Sequence, residues 1–95
     1  MVREIAVFRI GAGREQEFEE AYRGIASLLE DAEGSGGAVL HRGVEDPEVY
    51  TLIVEWDSVE AHVALTNRPE FEQFGEAVGP YLAGTPDVRH IEPVA

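Results

Sequence analysis

A chain of 95 residues with 44% hydrophobic content can bury a genuine core as one domain, 1–95, which excludes wholesale disorder. The lack of cysteine excludes a disulfide framework, a thiolate metal site and a cysteine nucleophile. Seven basic against nineteen acidic residues, a net charge of −12, oppose binding to nucleic acid or to anionic membrane surfaces and leave most carboxylates as a solvated skin.

No apolar run approaches the ~20 residues needed to span a bilayer. The opening segment MVREIAVFRI begins with a charge pair and is no secretory signal, so a cytoplasmic location is expected. Residues 2–10 read as a strand in which Ile5, Ala6, Val7 and Phe8 run together, the pattern of a strand covered on both faces. One layer of helices from so short a chain covers one face only. The other face therefore calls for a second copy, a homodimer.

Gly11-Ala12-Gly13 turns the chain into a helix predicted over Arg14 to Glu33, with Phe18, Ala21, Tyr22, Ile25, Leu28, Leu29 and Ala32 on one side. The Gly34-Ser35-Gly36-Gly37 run is expected to stop it, and Gly24 to let it approach the sheet. Strands over Ala38–Val44 and Val49–Trp56 flank the turn residues Glu45 to Glu48. Asp57 or Ser58 caps a short helix through about Leu65, with Glu60 in capping-box spacing from Asp57. Asn67, Pro69 and Glu70 open a further helix carrying Phe71, Phe74 and Val78, which Pro80 ends. A last strand runs from Val88 to Val94. The order β-α-β-β-α-β, with the second helix broken in two, predicts a ferredoxin-like α+β domain with a four-stranded antiparallel sheet. Glu17-Phe18-Glu19 and Glu70-Phe71-Glu72 are a faint echo between its halves.

The candidate chemistry is sparse. Gly11-Ala12-Gly13 begins a dinucleotide fingerprint, but Gln16 holds the third glycine position, and Glu15 and Glu17 would face the pyrophosphate. His41, His62 and His90 are the only imidazoles, and no HxxxH or HxxE spacing joins them into a metal site. Trp56, the single tryptophan, closes a strand just before the helix that carries His62. Each admits a bland reading, a space-filling core tryptophan and a satisfied helical histidine. Each also admits a functional one, an aromatic wall beside a proton acceptor. Phe8, Tyr22, Leu52, Leu65, Phe71 and Phe74 are the residues that would line an aromatic-binding space between sheet and helices, and the same residues would serve as plain core.

The chain resembles the antibiotic biosynthesis monooxygenase domains. The resemblance spans essentially all of it and rests on Phe8 to Gly13 followed by Glu17-Phe18-Glu19-x-Ala21-Tyr22, on Arg42 through Asp46-Pro47, and on Arg68-Pro69-Glu70-Phe71. Its most specific segment is Val54-Glu55-Trp56-Asp57-Ser58-x-Glu60-Ala61-His62. It implies a dimeric α/β barrel with sheets back to back and a pocket in each subunit between helices and sheet. It also implies oxidation of a phenol, quinol or anthrone-like aromatic by dioxygen without flavin, metal or haem. Trp56 matches the family's pocket tryptophan, and His62 stands where some members place a polar tyrosine. Leu52 replaces a strand asparagine. The haem-degrading relatives' asparagine, tryptophan and iron-ligating histidine fall at Ala6, Leu65 and Gly75, so haem degradation is not implied. The alternative is a non-catalytic dimeric barrel that binds a hydrophobic small molecule.

Overall fold

The computed structural model describes residues 1–95. Four strands, β1 (Val2–Arg9), β2 (Ser35–Arg42), β3 (Val49–Trp56) and β4 (Asp87–Ile91), alternate with helices α1 (Glu15–Glu30), α2 (Val59–Thr66) and α3 (Glu72–Val78). Single 3-10 turns lie at Pro69–Phe71 and Gly79–Tyr81. The sheet runs β2-β3-β1-β4, every pair antiparallel. This is the predicted ferredoxin-like arrangement, a two-layer slab of 35 × 35 × 19 Å. No helix is long and apolar enough to cross a membrane.

Side-chain alternation decides what each sheet face holds. Ala6, Phe8 and Ile10 join Tyr50, Leu52, Val54 and Trp56 beneath Phe18, Tyr22 and Leu29 of α1, Leu65 of α2 and Val78 of α3. Glu19 pins α1 to this layer: it accepts hydrogen bonds from Tyr50 Oη at 2.5 Å and Arg42 Nε at 3.0 Å. These bonds, Tyr50 first and then Arg42, hold its carboxyl below the usual range. The opposite sheet face carries Ile5, Val7, Val39, Ile53 and Ile91. Ile53 stands opposite Ile5 on one side and Val39 on the other, and Val39 is 57% exposed.

Several boundaries differ from those expected. α1 stops at Glu30, not Glu33, and Ser35 N–H returns to Ala32 O at 3.0 Å as the chain turns. The glycine run does not merely end that helix. Ser35 to Gly37 already belong to β2, where a bulge between Ser35 and Gly37 keeps the run paired to Trp56 and Glu55, and the strand ends at Arg42, not Val44. Of the two expected caps of α2 it is Ser58 that serves, its Oγ accepting from Ala61 N at 3.2 Å. Asn67 closes α2 instead of opening the next helix. β4 ends at Ile91, short of Pro93, which has no N–H for the ladder. Gly24 is not a packing glycine, since a Cβ there would meet no atom within 4 Å. The position that does need glycine is Gly34. Its φ is +85°, and a Cβ would lie 2.7 Å from that of Ala61 on α2.

Candidate functional site

β3 places Trp56 on its helix-facing side, and only two residues separate it from the start of α2. The Ser58 cap fixes that start, so His62 falls one turn in, directly over the indole. The two rings stack with centroids 5.2 Å apart and 16° between planes. Trp56 has no exposed surface and His62 only 8%.

Beneath them lies a carboxylate. Glu4 of β1 shares the inward face with Ala6 and Phe8 and is 6% exposed. Its Oε1 accepts from Trp56 Nε1 at 3.0 Å and lies 3.2 Å from His62 Nε2. His90 of β4 stands directly opposite Glu4 in the β1–β4 register, and its Nε2 is 2.8 Å from His62 Nδ1. Three adjacent strands and one helix therefore build a linear chain, Glu4–His62–His90, with Trp56 bound to its acidic end. The three groups do not converge on one point, and no group of three or more His, Cys, Asp or Glu is arranged to hold a metal ion.

Burial drives the His62 pKa below the usual 6.5, and His90 pushes it the same way; the Glu4 charge opposes but does not outweigh them. The unfolded chain then binds this proton at a higher pH than the folded one, so folding stability is full above 6.5 and falls as pH drops toward the depressed folded value. The melting temperature of the wild type is accordingly expected to decline from pH 6.5 downward. A His62→Gln variant, whatever its absolute stability, should show a shallower decline in that window. Equal slopes would mean that the imidazole titrates as it does in the unfolded chain.

The other predicted site residues divide into two groups. Tyr22 of α1 is buried near this chain: burial above all, then the charges of Glu30 and Glu4, push its phenol up to about 12. Its hydroxyl has no hydrogen-bond partner, although buried hydroxyls ordinarily find one. Leu65, one turn beyond His62, is buried and also borders a groove of about 770 Å³ between the end of α1 and α2. Neither Trp56 nor His62 lines that groove. Phe8 packs on Phe18, with centroids 6.0 Å apart, and Leu52 is core. Phe71 and Phe74 stack on each other at 5.9 Å. His41 lies on the opposite sheet face against Thr51 O.

Glu4 and the role of His90 are absent from the residue-level expectations. The one available signal was a carboxylate at inward parity, in step with Ala6, Phe8 and Ile10.

The fold and this buried polar chain define an α+β domain of the ferredoxin-like type with an acid–imidazole site under its helices. The chain belongs to the antibiotic biosynthesis monooxygenase family, which matches residues 1–77. It is 32% identical to the uncharacterized protein YczJ of Bacillus subtilis over 99% of this chain and 100% of that one. A proposed antibiotic biosynthesis monooxygenase of Bordetella bronchiseptica superposes with TM-score 0.94 at 35% identity, over 99% of this chain and 97% of the other. SnoaB of Streptomyces nogalater, a cofactor-independent oxygenase whose structure is that of a mutant, superposes with TM-score 0.83 at 20% identity, over 97% and 91%. At that identity the likeness is one of fold.

Proposed function

We propose that this chain is a cofactor-independent monooxygenase that oxidises a small phenol, quinol or anthrone-like aromatic with dioxygen and works as a homodimer. The observation that carries this reading is the Glu4–His62–His90 chain, a buried proton acceptor fixed against an aromatic ring. For an anthrone the step removes a proton from the methylene or its enol and leaves an electron-rich anion. Dioxygen takes four electrons in all, two as it bonds to that carbon and is protonated to a hydroperoxide, and two as the O–O bond breaks with loss of the remaining C–H proton. One oxygen atom becomes the new carbonyl and the other leaves as water. The substrate is the reductant. Trp56 seats the imidazole, since its indole N–H is held by Glu4 and its ring carries His62. The free Tyr22 hydroxyl is a donor available to the developing oxyanion. Phe8, Leu52, Leu65, Phe71 and Phe74 supply apolar walls.

Oxygen uptake by the full chain with anthrone and a series of quinols tests the reading. His62→Ala is expected to lower kcat/KM by about 10²-fold or more, and Tyr22→Phe to lower it less while leaving the fold intact. Unchanged uptake in His62→Ala and Trp56→Ala together would remove this site from the reaction. Leu52 in place of the strand asparagine favours a second reading, a barrel that holds a hydrophobic molecule without turnover. A ligand-dependent rise in melting temperature with no oxygen consumed would select it.

A further inference from the structure

We infer that His90, on the edge strand, is the port through which the buried chain exchanges protons with the substrate, and that His62 relays them to and from Glu4. An imidazole has two polar atoms, and both of those on His62 are taken by protein groups: Nε2 faces Glu4 Oε1 at 3.2 Å and Nδ1 faces His90 Nε2 at 2.8 Å. Nothing remains on His62 for a substrate. The tautomers follow from the acidic end. As a carboxylate Glu4 only accepts, and it already accepts from Trp56 Nε1, so with Oε1 3.2 Å from His62 Nε2 the tautomer it favours is the one with hydrogen on Nε2. Neutral His62 then presents the lone pair of Nδ1, to which His90 Nε2–H donates. Of the ring nitrogens in the chain, only His90 Nδ1 remains, a lone pair that makes no hydrogen bond within the protein.

The placement suits a port. β4 pairs with β1 alone and is the edge of the sheet. Val88, two residues before His90 on the same strand face, is 48% exposed, whereas His62 is 8% exposed. The titratable groups around His90 are His62 from α2 and Glu4 from β1, with Tyr22 of α1 coupled through Glu4.

The transfer balances. His90 Nδ1 takes a proton from the substrate and leaves the anion. His90 Nε2–H passes to His62 Nδ1, His62 Nε2–H passes to Glu4 Oε1, and the carboxylate becomes a neutral acid. The reverse sequence delivers one proton to the reduced oxygen. The chain thus gains one proton with both imidazoles neutral, so no cation has to persist inside the fold.

The role in turnover rests on the oxygenase reading above; the tautomer assignment does not. Full-length protein labelled with 15N-histidine, observed through two-bond ring correlations across pH ~5–9, tests the assignment directly. Both His62 and His90 are expected as Nε2–H tautomers near neutrality. A His90 Nδ1–H tautomer, or a His62 Nδ1–H tautomer, overturns the port whatever the activity. With anthrone as substrate, His90→Gln is expected to reduce kcat by about 10²-fold with KM little changed. Full kcat in His90→Gln, in a protein whose wild type consumes oxygen, also overturns it. A wild type that consumes no oxygen, yet shows the expected tautomers, removes the oxygenase reading and leaves the relay standing.

Discussion

Replacing Glu4 by Ala should cost the fold about 2–5 kcal/mol in urea unfolding, because two buried donors lose their acceptor at once and each stranded donor costs ~1–3 kcal/mol. Trp56 Nε1–H donates to Oε1, His62 Nε2 lies 3.2 Å from the same oxygen, and neither residue is open enough for water to replace it. Glu4→Gln separates the causes. Its amide oxygen can still accept from both donors, so most of the stability returns, but the group can no longer take up a proton. Activity in Glu4→Gln is therefore expected to fall about 10²-fold or more while the melting temperature stays near that of the wild type. A loss below ~1 kcal/mol in Glu4→Ala would show that the carboxylate does not organise the site.

The second large effect is expected on the other face of the sheet. Val39, Ile53 and Ile5 form one transverse row across β2, β3 and β1, and this chain lays no helix over them. A second copy seated there would leave Ile53 at the centre of the contact. Ile53→Asp then brings an unpaired charge into an apolar interface and is expected to weaken association by on the order of 10³-fold, the equivalent of ~4 kcal/mol. Sedimentation should read a dimer of the 10.4 kDa chain for the wild type and a single chain for the variant. A wild type that sediments as one chain at micromolar concentration would end the dimer proposal.

The parts of this molecule legible in the sequence are those set by short-range rules. The unit β3–Ser58–α2 is one: alternation along Tyr50, Leu52, Val54 and Trp56 and a capping residue two positions on suffice to bring Trp56 and His62 together. The grouping of Glu4 with His90 depends instead on the register of β1 against β4, strands separated by nearly the whole chain, and no local pattern encodes it. Glu4 was further masked by the unbroken apolar run Ile5 to Phe8, which hides the alternation that turns it inward. The glycine run misled for another reason. Ladder hydrogen bonds to Glu55 and Trp56 outweighed the weak strand preference of Gly36 and Gly37.

The close seam at Gly34 makes the geometry of the imidazole tunable from a distance. A methyl group there has to push on Ala61, the immediate neighbour of His62, so it would lever the start of α2 outward. The contacts of His62 with Glu4 and His90 would be displaced without any polar group being changed. A family that varies this one turn could thus retune how readily its site gives up a proton while every reacting side chain stays the same.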